Sequence, residues 1–289
     1  MKRDGVKRET IARKNEPHSA PPRGPQEDEP AVLMSTPSPG VRLLTLNRPA
    51  IRNAMTSELT AAWDEALDAA VADRETRCLV VTGAGNSFCS GADLSWLDQG
   101  GEDDVTIDRL RDRMLPFYQS WLRPRKLPFP VIAAVNGPTV GAGVCLALAC
   151  DLRFAAPSAR FSTPFIYLGT HGGMGATWLL PEAIGVPRAR EMLFTGRVVE
   201  AREAKDWGLV AEVAEEDVVA HALTAAARIA EAGPIATRLT KTGLEASAAG
   251  LEAAIQWEAL AQPVTMNTAD IHEGIDAVRS GRTPKFSGR

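Results

Sequence analysis

The run Val135-Asn136-Gly137-Pro138-Thr139-Val140-Gly141-Ala142-Gly143-Val144-Cys145 joins three features that together can do chemistry. A strand, Val131 to Val135, ends in a glycine-spaced turn, and the turn opens an apolar helix running towards Asp151. The first N–H groups of such a helix have no internal partner, and the helix dipole adds partial positive charge there. Small residues at 141 to 143 let a ligand come close to the backbone. This pattern suits an anion, or a carbonyl oxygen that gains negative charge during a reaction. Taken alone, the segment reads either as an oxyanion hole or as a glycine-rich turn with no ligand.

Two further blocks narrow the choice. Cys78-Leu79-Val80-Val81-Thr82-Gly83 reads as a buried strand and leads into Ala84-Gly85-Asn86-Ser87-Phe88-Cys89-Ser90-Gly91-Ala92-Asp93-Leu94. Upstream lies Leu46-Asn47-Arg48-Pro49-Ala50-Ile51-Arg52-Asn53-Ala54-Met55. In this order and at this spacing, the three blocks resemble the crotonase (enoyl-CoA hydratase/isomerase) superfamily, from roughly Ala31 to the C-terminus. They specify the superfamily and not one reaction. The resemblance implies an α/β fold: a crotonase-like ββα spiral core over residues 31–214, then a C-terminal helical region over 215–289 that supports homotrimers or hexamers.

The resemblance also implies roles. Such proteins bind acyl-CoA thioesters, and two backbone N–H groups hold the thioester oxygen. By motif match these donors are Ala92 and Ala142, the latter an alanine where the family usually has glycine. Alanine still supplies an N–H if its φ/ψ permit. Ala50 to Ala54 matches the loop that meets the nucleotide end of CoA. Within it, Arg52 reads as a phosphate partner or as a solvated arginine. Ala50, Arg52, Ala54, Asp93, Leu94, Cys145 and Phe165 form the expected substrate-binding set. Asp93 reads first as a turn or cap residue, as do Asn47 and Asn136, with side chains satisfying local backbone groups. Coenzyme A enters as part of the substrate; no separate cofactor and no metal is expected.

The departures carry as much information. Hydratases of this family use two glutamates to position and activate water. Their positions here hold Cys145 and Phe165, neither of which can act as a carboxylate. The candidate replacement is His171, in the glycine-rich loop Leu168-Gly169-Thr170-His171-Gly172-Gly173-Met174-Gly175. Imidazole titrates near neutrality and suits proton transfer. Of the other histidines, His18 falls in the N-terminal leader, and His221 and His272 are expected on the surface of polar helices. Cys145 at a helix start reads as an activated thiol or, the preferred reading, as an inert packed one. Tyr167 either faces the pocket or packs. Phe161, Phe165 and Trp178 are candidates for shaping the acyl pocket. Asp98, Glu102, Asp103 and Asp104 are read as a solvated acidic loop.

The elements that must position these groups follow from pattern. Ala31–Met34 and Val41–Leu46 are predicted to form a hairpin around residues 35–40. Thr56 is an expected N-cap, and Leu59, Trp63, Leu67 and Val71 mark one buried helical stripe. Helices are predicted over Ile107–Leu122 and Val198–Gly208, and the resemblance implies one over Met174–Ala183 that ends no later than Pro187. Strands are predicted at Asp151–Ala156 and Leu209–Val213. Beyond Glu215 the pattern is helical, at 218–229, 235–248 and 251–266. The tail 280–286 resembles the family's usual ending, with Lys285 read as solvated.

Composition sets outer limits. The 289 residues are 45% hydrophobic, ample for a sizeable core, and the net charge of −4 leaves no nucleic-acid footprint. No apolar run is long enough to span a bilayer. Residues 1–30, charged and proline-rich, are expected to form a flexible leader. The four cysteines lack metal-ligand spacing and are expected to be reduced, in a cytoplasmic protein. The leading reading is an acyl-CoA enzyme. A non-catalytic acyl-CoA binder is the alternative, motivated by the two missing glutamates. A peptidase of the same superfamily is set aside, because no serine stands where those enzymes place theirs.

Overall fold

The structure, a computed structural model, describes residues 29–93, 106–246 and 250–289. Leu94, Asp98, Glu102, Asp103, Asp104 and the first 28 residues of the expected leader lie outside the described residues.

Six strands form the main sheet: β1 (Val32–Ser38), β2 (Val41–Leu46), β3 (Cys78–Gly83), β4 (Val131–Val135), β6 (Leu152–Ala155) and β9 (Glu212–Val213), adjacent in that order. β1 and β2 make an antiparallel hairpin, and every other pairing in this sheet is parallel. Strands β3 and β4 are buried throughout, which is why they read as unbroken apolar runs. A smaller sheet joins β5 (Thr139–Val140), β7 (Arg160–Ser162) and β8 (Val199–Glu200).

Side-chain alternation splits the core between the two faces of the main sheet. Leu44, Leu79, Val81, Val131 and Ala133 face a layer that includes helices α1 (Ser57–Ala72), α2 (Ile107–Trp121) and α3 (Ala142–Ala149). Trp63 of α1 and Trp121 of α2 stack with ring centroids 5.1 Å apart. Both indoles are satisfied, Trp63 donating to Ser120 O and Trp121 to Thr60 Oγ1. On the other face Val41, Cys78, Val80, Ile132 and Ala134 pack against Ala222 and Ala226 of helix α6 (Val218–Ala230). Between these lie α4 (Ala176–Thr195) and α5 (Ala201–Trp207), and after them α7 (Pro234–Ala246), α8 (Leu251–Met266) and α9 (Ala269–Ser280).

Several boundaries differ from the sequence expectations. The hairpin turn shrinks to Pro39-Gly40, and β1 runs on through Pro37. β1 is a sheet edge, where a residue lacking an N–H is tolerated. Thr56 does cap α1, accepting from Leu59 N at 3.1 Å. Val71 is exposed, however, and Ala70 takes its place in the core. A spacing of four overshoots the helical repeat by about 40° each time, so the fourth member leaves the stripe. Helix α4 continues beyond Pro187 because it is two helical segments meeting at Gly185, at φ 75° and ψ 157°. Pro187 thus sits in the first turn of the second segment, where its missing N–H costs little. Helix α9 was not anticipated. His221 is only partly exposed: its ring meets Phe154 edge-on, 4.7 Å between centroids. All four cysteines are free and buried.

Candidate active site

The parallel strands β3 and β4 end side by side, at Gly83 and Val135, and the loops after them build the site. Two asparagines lock these loops. Asn136 donates to Gly83 O, Gly85 O and Ser87 O and accepts from Gly83 N. Asn53, fully buried, accepts from Arg48 N and donates to Ala84 O, Ser87 O and Phe88 O. Asn47 donates to Pro30 O. Asn136 and Asn47 were expected to satisfy local backbone; both instead bridge segments remote in sequence. Turn propensity is a local signal and carries no information about which distant carbonyl a side chain will meet.

The segment 89–92 is clamped between two others. Ser90 N donates to Arg52 O and Met55 N to Gly91 O, while Val140 N donates to Cys89 O. Glycines allow this crowding. A Cβ at Gly143 would stand 2.3 Å from Cys89 O, and one at Gly91 3.2 Å from Ala142 N. Gly143 therefore serves chain packing, not ligand approach. Gly141 adopts φ 55° and donates to Ser162 O, which turns the chain into α3.

Ala92 and Ala142 thus lie on facing segments bordering one cavity of about 660 Å³. Among the described residues, neither the Ala92 nor the Ala142 backbone N–H has a hydrogen-bond acceptor. Ala142 is the first residue of α3 and Gly141 offers no side chain, so the helix N-terminus is left open towards the cavity.

The remaining expected residues separate clearly. Ala50, Arg52, Ala54, Asp93, Phe165 and His171 line the cavity with Ala92 and Ala142. Arg52 is exposed, in the left-handed region at φ 54°, and has no ion pair among the described residues. Phe165 begins a 3-10 helix, Phe165–Leu168, and its ring lies over Gly141, 3.6 Å from where a Cβ would be. His171 is exposed, and its imidazole has no partner among the described residues. Tyr167 also lines the cavity, though largely exposed.

Cys145 departs from the expected set. It is fully buried behind the wall, its thiol directed at Gly173 O at 3.6 Å. Burial pushes this thiol up to about 12, so it is a packed, protonated group. Phe161 is in the core, and Trp178 is outside, under the Arg125 guanidinium at 4.8 Å; neither shapes the cavity. Sequence reasoning missed Asn53 and Tyr118. Tyr118 lies on α2 and lines the cavity with Met114 and Phe117. Helical spacing placed these side chains on one face, but nothing local said which cavity that face meets. Among the described residues there is no cluster of three or more His, Cys, Asp or Glu side chains able to hold a metal, and no helix long and apolar enough to cross a membrane.

The fold agrees with comparisons to known proteins. Residues 36–289 match the family model for enoyl-CoA hydratase/isomerase. The chain is 37% identical over 253 residues to the 2,3-dehydroadipyl-CoA hydratase of Escherichia coli, covering 86% of this chain and 96% of that protein. It is 35% identical over 260 residues to the 1,2-epoxyphenylacetyl-CoA isomerase of the same organism, covering 89% and 98%. The crystal structure of an enoyl-CoA hydratase from Bacillus anthracis superposes with a TM-score of 0.84 at 34% identity, over 90% of this chain and all of that one. The chain belongs to the enoyl-CoA hydratase/isomerase family. Two similarly close relatives bear the names of a hydratase and of an isomerase, so membership leaves the reaction to be argued from the site.

Proposed function

We propose that this protein is an acyl-CoA enzyme that forms a thioester enolate and moves a proton, with double-bond migration as its reaction. The observation that carries this reading is the pair of acceptor-free N–H groups, Ala92 and Ala142, at one cavity. In this reading they hold a thioester oxygen as negative charge grows on it, and one such donor is typically worth ~3 kcal/mol. Neutral His171 removes a proton from the carbon next to the thioester. The electron pair passes onto the held oxygen, and in a 3-enoyl chain over the conjugated dienolate. Return of a proton at the far carbon and collapse of the enolate leave a 2-enoyl thioester, with the imidazole restored.

Water addition is less well supported. Where the hydratases of the resemblance place carboxylates, this chain has a buried thiol and an aromatic ring beside Gly141. Arg52, exposed at the cavity, suits a CoA phosphate. The exposed Leu244, Leu251, Leu260 and Val278 of α7, α8 and α9 support assembly with further copies of the chain.

The same missing carboxylates favour one other reading, an acyl-CoA binder without turnover. The test is incubation with hexanoyl-CoA and 3-hexenoyl-CoA in deuterated water, followed by mass spectrometry. Deuterium uptake beside the thioester and formation of 2-hexenoyl-CoA are expected, with loss of both in His171→Ala while binding persists. Binding without exchange would overturn the enzyme reading and establish the binder.

A further inference from the structure

Tyr118 projects from α2 into the loop that carries His171. A Cβ at Gly173 would stand 2.5 Å from Tyr118 Oη, so the phenol is seated in the space a side chain at 173 would occupy. The next residue, Met174, is buried and holds φ 53°, a left-handed backbone uncommon for a non-glycine residue. Its backbone N–H lies near enough to the phenolic oxygen to favour the phenolate form. Among the described residues, no acceptor is found for the phenol's own proton. Helix α2 is fixed one turn further on by the Trp121–Trp63 stack and the Trp121 hydrogen bond to Thr60. A glycine, a left-handed residue and an anchored helix thus converge on one hydroxyl that lines the cavity.

We infer that Tyr118 presents its hydroxyl to the acyl chain as a proton donor, a second proton-transferring group beside His171. This rests on the enolate reading of the site. When the enolate collapses, the Tyr118 O–H bond breaks and a C–H bond forms. The phenolate oxygen then faces the Met174 N–H; solvent returns a proton to it and takes from His171 the proton that the imidazole removed, so both groups are restored. Burial raises the phenol's pKa and outweighs the influence of the nearby Met174 N–H, so the group stays a donor at neutral pH.

The experiment uses Tyr118→Phe and Gly173→Ala in the full chain. With 3-hexenoyl-CoA, each is expected to lower kcat on the order of tenfold or more, with the affinity for hexanoyl-CoA changed less than threefold. The added methyl displaces the phenol, so the double variant should be no slower than Tyr118→Phe alone. The chain has two tyrosines, so tyrosine carrying ¹³C at Cζ gives two resonances, assigned with Tyr167→Phe. Saturation with hexanoyl-CoA should move the Tyr118 resonance. An unmoved resonance at saturation, or kcat of Tyr118→Phe within twofold of the parent, overturns the proposal. If the parent neither exchanges nor isomerises, the enolate reading fails and the proton-donor role with it, whatever the resonance does. If the parent turns over and Tyr118→Phe does too, the enolate reading stands and Tyr118 is removed from it.

Discussion

Asn53 and Asn136 donate to the same acceptor, the carbonyl oxygen of Ser87, at 2.9 and 3.4 Å. One residue belongs to the loop after β2 and the other to the end of β4. The turn after β3, which leads to Ala92, is therefore held from both neighbouring strands. Ala92, the first donor of the proposed oxyanion hole, is placed by amide side chains that do not line the cavity.

Asn53→Ala should be costly. It strands Arg48 N and three carbonyls in the interior and puts alanine at φ 56°. A loss of about 3 kcal/mol is expected, from the unpaired groups and the backbone together. Asn53→Asp should be worse, because a carboxylate would face those same carbonyls. Urea denaturation of both variants checks the size and the order.

Ala142→Pro separates the backbone donor from the fold. Residue 142 is the first of α3, a position where proline is tolerated, and the change deletes the N–H. Isomerisation should fall on the order of 10²-fold or more, with a thermal midpoint close to the parent's. Ala142→Gly, which keeps the N–H, should retain activity; loss in both would show that packing, not the amide, matters at 142.

Much of this arrangement was legible in the residues. Val131–Val135 followed by glycines and an apolar helix announced the open helix N-terminus, and the motif match pointed to Ala92 and Ala142, which the structure brings to one cavity. Unbroken apolar runs identified β3 and β4, and a four-residue recurrence identified α1. What escaped was tertiary. Tyr118 drew no reading from the sequence of α2, and its meaning came from Gly173, a different element. Asn53 looked like a loop polar residue until three distant carbonyls closed around it. Cys145 held a family position, yet the helix turned its side chain under the 172–174 loop.

The buried thiols predict an alkaline weakness. Burial raises Cys78, Cys89, Cys145 and Cys150 from 9.0 to about 12. Each favours the protonated form when folded, so its contribution is fully present below pH 9 and is lost as pH rises towards 12. Unfolding midpoints in urea should fall over that window and not between pH 7 and 8.5. In the native state at pH 8, a thiol-specific disulfide reagent should titrate none of the four, and all of them after unfolding.

Lys241 links α7 to the strands. Its ammonium, almost fully buried, donates to Pro124 O, Phe129 O and Asp151 Oδ2. Lys241→Met leaves those acceptors unpaired and Asp151 without its counter-charge. Since Asp151 is partly exposed and keeps the Val131 N–H, a loss of about 3 kcal/mol is expected. Lys241→Met combined with Asp151→Asn should recover part of it, measured as thermal midpoints.

The proposed oxyanion donors are main-chain amides, so almost any residue except proline at positions 92 and 142 can preserve them. A scaffold that stabilises charge without side chains can exchange its proton-moving residues one at a time and keep an ancestral intermediate within reach. Under the proposed chemistry, the side chains at 145 and 165 can change while the charge-holding part of the site stays in place, because that part is main chain.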